Sequence, residues 1–224
     1  MLQEARRTFI PDNVALTNEE MLFAEYLEYW LGIAKTSIAL TTYSSYATML
    51  RGTIKPYFEK TQKTLAELSP KDIQDFYTVQ LMRVKAATVI HYHVIIHRAL
   101  KYAFKTGMID VNPASRVDRP KKEIFVGSFY DKDEMAKLFE VAIGTRLELP
   151  IYFGAFYGLR RSEIIGLKWD SIDFQQDTIT IRHTVVDCYL DGKKVTIASD
   201  RTKTKSSMRT LPLVPMFREG LLRL

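Results

Sequence analysis

From residue 20 onward the apolar positions recur with helical periodicity. Leu22, Phe23, Tyr26, Leu27, Trp30 and Leu31 share one helical face, which predicts a first helix. Ahead of it, Thr17-Asn18-Glu19-Glu20 has capping-box form, with a hydroxyl for the Glu20 amide and a carboxylate that reaches back. Gly32 to Leu40 reads as a break. Thr41 or Thr42 then supplies the cap of a second helix holding Tyr43, Tyr46, Met49 and Leu50, with Gly52 near its end. Pro56 is expected to stop or kink the chain beyond that helix, because it lacks a backbone donor. Ser69-Pro70, with Asp72 in the first turn, starts a third helix through Ile73, Phe76, Tyr77 and Gln80. A fourth runs from about Ala86 to Thr106 and ends at Gly107. The pattern predicts a four-helix bundle with short connections.

Beyond it the chain becomes polar and punctuated by proline, at Asn112-Pro113 and Arg119-Pro120-Lys121-Lys122, and the domain boundary is placed there. The expected organisation is a linker or arm over residues 1–16, the bundle over 17–115, a linker over 116–123 and a second domain over 124–224. The second domain opens with a helix from Asp131 to Val141, an apolar helix around Leu149 to Tyr157, and a short helix from Arg160 to Lys168 after a break at Gly158. The period then changes. Thr178 to Ile181 alternates, Val185-Val186 continues β-branched, Asp191-Gly192 signals a hairpin turn, and Val195 to Ile197 and Thr210 to Val214 supply further strands. Helices followed by a small antiparallel sheet form an α+β pattern.

Composition narrows the classes. The single cysteine, Cys188, excludes a disulfide framework within the chain. The apolar run from Leu149 to Leu159 falls well short of the roughly 20 residues that span a bilayer, so no membrane partner is expected. Thirty-two basic against 26 acidic side chains give a net charge of +6, which suits a polyanion without requiring one. The distribution says more. No acid lies between Asp75 and Asp110, where Arg83, Lys85, Arg98, Lys101 and Lys105 occur. None lies between Asp200 and Glu219, where Arg201, Lys203, Lys205, Arg209 and Arg218 occur. The two windows read as two halves of a clamp on nucleic acid, and equally as two solvated faces.

No glycine-rich phosphate loop is present, which argues against a P-loop or dinucleotide fold. His93 and His97 have the helical spacing of two metal ligands, but no third ligand accompanies them, so they read as ordinary histidines of a basic helix. The richest stretch is Gly158-Leu159-Arg160-Arg161-Ser162-Glu163. A glycine break there delivers an arginine to a helix start, where amides and dipole favour an anion. A guanidinium offers a planar fork to phosphate oxygens, and Glu163 can pair with an arginine to orient it. Downstream, Thr202 to Leu213 reads as a basic turn entering a strand, whose ammonium can protonate a leaving oxygen. An amphipathic helix start and an exposed loop explain the same residues without chemistry.

In order and content these motifs resemble the tyrosine recombinases, specifically phage and conjugative-transposon integrases. The resemblance also rests on Tyr29-Trp30-Leu31, Thr42-Tyr43 with Tyr46, Ile54 to Phe58, Leu68-Ser69-Pro70, Ala99 to Ala103 and Asn112-Pro113-Ala114. It implies a mainly α protein with a small α+β part: a four-helix SAM-like core-binding domain followed by the first part of a recombinase catalytic domain. It implies duplex DNA as partner, further integrase protomers on that DNA, and a bacterial or phage-encoded protein of the cytoplasm. In such enzymes a tyrosine attacks a phosphodiester to give a 3′-phosphotyrosine and a 5′-hydroxyl, with no metal or other cofactor. Arg160 matches the first catalytic arginine, Lys203 the catalytic lysine with Lys205 as runner-up, and Glu163 the accessory acid. Thr42, Tyr43, Arg83, Lys85, Arg98, Lys101, Lys105, Lys205 and Arg209 become the expected DNA contacts.

One departure is plain. No histidine is followed three residues on by arginine, and the last tyrosine, Tyr189, precedes the lysines of the basic turn. The expectation is a C-terminally truncated chain that binds DNA with an incomplete site. A non-catalytic regulator competing with a full integrase fits the same residues, and a protein-interaction module with solvated basic windows is the third reading.

Overall fold

The computed structural model describes residues 20–122, 124–200 and 208–223. The chain divides into two compact units, residues 1–125 and 126–224.

The first unit holds helices α1 (Phe23–Ala34), α2 (Leu40–Met49), α3 (Lys55–Thr61), α4 (Pro70–Leu81) and α5 (Ala86–Lys105), with a 3₁₀ turn at Pro113–Arg116. α1 starts later than its capping signal suggests. Leu22 forms an antiparallel bridge with Thr64, and the Phe23 amide donates to the Lys63 carbonyl at 2.9 Å, so a tertiary contact sets the helix start. Thr17 lies outside the described residues. Gly32 does not break α1, which runs through it to Ala34. The cap of α2 is Ala39 rather than Thr41 or Thr42, and no side chain bonds its first amides. Pro56 does not interrupt the helical path either. A wide turn at Leu50–Ile54, in which the Lys55 amide reaches back to the Leu50 carbonyl, carries α2 into α3 and places Pro56 in the first turn of α3. A proline is tolerated there, since the first amides of a helix have no intrahelical acceptor.

The other signals hold. Ser69 and Asp72 cap α4 reciprocally, with Pro70 at its first position. Gly107 follows α5 with φ +72°, the left-handed conformation that closes a helix at little cost to glycine. Phe23, Leu27, Leu31, Leu50, Ile54, Phe58, Ile73 and Phe76 meet Val89, Ile95, Ile96 and Leu100 of α5 in a buried core. Tyr26, inside that core, donates its hydroxyl to the Ala99 carbonyl at 2.6 Å and so ties α1 to α5.

The second unit holds α6 (Lys132–Ala142), α7 (Glu148–Tyr157), α8 (Arg161–Ile165) and α9 (Pro215–Leu222), with strands β1 (Ile172–Asp173), β2 (Thr178–Ile181), β3 (Thr184–Leu190), β4 (Lys193–Ser199) and β5 (Arg209–Pro212). The sequence pattern predicts one sheet, and the described residues form two: antiparallel β1-β2-β5, and the hairpin β3-β4. The chain leaves the first sheet at Arg182-His183, where His183 turns inward and is 7% exposed. Asp191 and Gly192 take φ of 49° and 79° and make the tight turn that joins β3 to β4. Ile179 and Ile181 of β2 bury one face of the first sheet against Phe153 of α7, Leu159, Leu213, and Phe217 and Leu221 of α9. No helix among the described residues is long and apolar enough to cross a membrane.

Candidate nucleic-acid interface

In the first unit α5 carries the candidate contacts. Its inner positions include Val89, Tyr92, Ile96 and Ala103. Its outer positions Ala87, His91, Val94, Arg98, Lys101 and Lys105 are all exposed and fall on one stripe at helical spacing. Arg98, Lys101 and Lys105 therefore present three cations along about two turns. Arg83 and Lys85 are exposed in the connection that enters α5.

Arg98 is also braced from α2. Its Nη1 donates to the Tyr46 hydroxyl at 2.8 Å, and its guanidinium carbon lies 5.7 Å from the centre of the Tyr46 ring. That ring stacks on Trp30 of α1. Thr42, one turn before Tyr46 on α2, is partly exposed on the same side. Tyr43 faces inward instead: it is 3% exposed, with the Lys35 ammonium 5.1 Å from its ring centre, and it packs the bundle. Sequence reasoning missed His91 and Tyr46 as members of this surface. The run 87, 91, 94, 98, 101, 105 was the available signal, since it sets His91 in line with the three cations.

His93 and His97 do other work. His93 is 5% exposed, and its Nδ1 lies 2.8 Å from the Tyr77 hydroxyl. Burial, then the nearby His97 and Arg119, push its imidazole down to about 4. Burial, then Lys101 and Arg119, lower that of His97 as well. Among the described residues no group of three His, Cys, Asp or Glu side chains could hold a metal.

In the second unit Gly158 closes α7 with φ +60° and buried Leu159 anchors the chain before Arg160. Arg160 is the N-cap of α8 in extended conformation. Glu163, one turn on and 2% exposed, is the hub of the site. Its Oε2 accepts from the Arg160 amide and from Arg209 Nη2, both at 2.9 Å. Its Oε1 accepts from Arg160 Nη1 at 3.1 Å and Arg209 Nη1 at 3.3 Å. Burial pushes this carboxyl up, but the hydrogen bonds from Arg209 and from the Arg160 amide and guanidinium outweigh it and hold the group at about 2. It is ionised throughout the neutral range. The Arg160 side chain is 71% exposed and so remains accessible to an anion. The helix start itself is not the anion site, since α8 is only 5 residues long and Glu163 already takes the Arg160 amide.

Arg209 differs from its sequence reading. It stands at the start of β5 with its side chain 27% exposed, and its fork is directed at Glu163. Arg218 is engaged too, donating to the Phe174 carbonyl at 2.7 Å and Asp177 at 2.6 Å. Lys203 and Lys205 lie outside the described residues. Just before them, Asp200 bonds His183 Nδ1 at 2.5 Å and Lys168 Nζ at 3.2 Å, contacts that lower its carboxyl pKa. α8 is seated closely on β3: a Cβ on Gly166 would lie 2.8 Å from Thr184 Cα and 2.9 Å from the His183 carbonyl oxygen.

The chain is similar to several known proteins. Residues 22–80 match a family described as "Phage integrase, N-terminal SAM-like domain". A tyrosine recombinase XerC-like protein of Caldanaerobacter subterraneus subsp. tengcongensis is 26% identical over 219 residues, covering 90% of this chain and 55% of the relative. Most of the chain is thus similar in sequence to a tyrosine recombinase. A tyrosine recombinase XerC of Anoxybacillus flavithermus is 28% identical over 167 residues, covering 71% of this chain and 54% of the relative. The chain thus spans about half the length of these curated recombinases. In fold it resembles the Tn1549 transposon integrase solved with a circular intermediate DNA, with TM-score 0.71, 14% identity, and 91% of this chain and 64% of that chain covered. It also resembles a lambda integrase tetramer bound to a Holliday junction, with TM-score 0.63, 17% identity, and 88% and 58% covered.

Proposed function

We propose that these residues form the DNA-engaging part of a site-specific tyrosine recombinase acting in DNA integration. Residues 17–115 serve as its core-binding domain and residues 124–224 as part of its catalytic domain. The observation that carries this reading is Arg160, whose exposed guanidinium is held from behind by a buried, ionised Glu163. A guanidinium oriented in advance stabilises charge developing on a phosphorane-like transition state and needs little reorganisation as the charge forms. Lys203, or Lys205, supplies the proton to the departing 5′ oxygen. Arg83, Lys85, Arg98, Lys101 and Lys105 take up phosphates of the duplex, with Thr42 beside them. Bond energy is kept in a tyrosyl phosphodiester, so the reaction calls for no metal or nucleotide.

The 224 residues hold no His-x-x-Arg and no tyrosine after Lys205. By themselves they are therefore expected to bind duplex DNA without becoming covalently attached. A second reading is a non-catalytic DNA-binding protein that competes with a complete integrase. Related integrases work on DNA in a bacterial or phage setting, and the cytoplasm and further protomers on one DNA are the corresponding expectations here. The test is incubation with a nicked suicide duplex. Binding at low salt with no denaturation-resistant protein–DNA adduct supports the proposal. An adduct on any tyrosine of this chain would overturn the assignment of roles, and absence of binding would overturn the proposal itself.

A further inference from the structure

Arg209 is one of many basic residues in the sequence, and its geometry sets it apart. Glu163 accepts hydrogen bonds from four donors, two from Arg160 and two from Arg209. The two Arg160 bonds act on different parts of that residue. One fixes its backbone at the head of α8, and the other fixes its guanidinium. The two Arg209 bonds are the matching fork, one Nη to each carboxylate oxygen. A carboxylate that is 2% exposed needs such partners, because a buried charge left underbonded is expensive.

We propose that Arg209 is a positioning residue for Arg160, acting through Glu163 rather than through DNA. It holds the carboxylate in the orientation from which both Arg160 bonds are made, so the phosphate-facing guanidinium is set in advance by a residue distant in sequence. A guanidinium is required: its planar fork meets both oxygens at once, which the point charge of a lysine does not. Arg209 is also the first residue of β5 and directly follows Met208, so the same contact ties the arginine box to the strand entered from the basic segment. This inference rests on Arg160 being the phosphate ligand, but its first readout does not depend on DNA.

That readout is exchange of the Arg160 backbone amide by NMR in the full chain, with the Ile179 and Ile181 amides of β2 reporting that the sheet is intact. The variants are Arg209→Ala, Arg209→Lys and Glu163→Gln. The expected result is exchange at Arg160 faster by about tenfold or more in Arg209→Ala, with Ile179 and Ile181 still protected. Arg209→Lys and Glu163→Gln are expected to behave likewise. Unchanged protection at Arg160 in Arg209→Ala, or full restoration by lysine, would overturn the proposal. If Arg209→Ala loses protection at Ile179 as well, Arg209→Lys, which keeps the charge, decides.

The second readout is salt-dependent binding to a duplex of about 30 base pairs. A phosphate contact at Arg209 predicts that Arg209→Ala lowers the slope of log affinity against log salt by about one. Positioning predicts that Arg160→Ala lowers affinity and slope less in the Arg209→Ala background than in wild type, whereas two independent phosphate contacts predict the full further loss. Equal losses in both backgrounds would contradict coupling. If wild type does not bind DNA at all, the functional reading fails while the exchange result still decides the role of Arg209.

Discussion

Replacing Glu163 by glutamine keeps its shape and removes its charge. In the folded chain the carboxyl is held at about 2 against an ordinary 4.5. At about 1.36 kcal/mol per unit, that difference makes the ionised form worth about 3 kcal/mol of stability to the second unit. The sign follows from linkage. A carboxyl with a depressed folded pKa contributes in full above about pH 4.5, and the contribution fades by about 1.4 kcal/mol per pH unit as pH falls toward about 2. Glu163→Gln is therefore expected to cost about 3 kcal/mol near neutrality, and the gap to wild type should narrow below about pH 4.5. Urea-dependent amide exchange read by mass spectrometry can track this, with peptides covering residues 158–172 as reporter and residues 23–34 as internal control. A gap below about 1 kcal/mol near neutrality would refute the reasoning. So would a gap that does not shrink in acid, or a loss of protection confined to the control peptide.

Three further outcomes concern single residues. His93 has a folded pKa lowered from 6.5 to about 4 by burial and by His97 and Arg119. The unfolded chain therefore takes the proton first, and the bundle should lose about 1.4 kcal/mol per pH unit from about pH 6.5 down to about 4. His93→Gln should flatten that slope in exchange at residues 86–105. Gly166→Ala should destabilise the second unit by about 1–3 kcal/mol in urea melts, because its Cβ would meet backbone atoms of Thr184, His183 and Ser162 within 3.0 Å. Gly32→Ala should stabilise the first unit by about 0.5–1 kcal/mol, because Gly32 lies inside α1 with nothing near its Cβ position.

What the sequence made legible is what local chemistry decides. Ser69, Pro70 and Asp72 announce α4 within four positions, Gly107 closes α5, and Asp191-Gly192 makes a hairpin whatever surrounds it. The misreadings have non-local causes. The start of α1 depends on Leu22 pairing with Thr64, and the chain passes Pro56 by widening one turn, which no capping rule anticipates. Tyr43 and Tyr46 look alike in an aromatic run, yet packing buries the first and sets the second beneath Arg98. Arg160 and Glu163 were readable as a pair because one helical turn separates them. Arg209 was not, since it lies 46 positions beyond Glu163, in a strand placed by its pairing with β2.

The central claim is that this chain engages DNA through phosphates, and the salt dependence of duplex binding tests it most directly. Contacts from Arg83, Lys85, Arg98, Lys101, Lys105 and Arg160 predict that log affinity falls against log salt with a slope of about −5. Joint replacement of Arg98, Lys101 and Lys105 by alanine should reduce that slope by about 3 units while leaving the bundle folded. No binding near 50 mM salt, or a slope that the triple replacement leaves unchanged, would contradict the account.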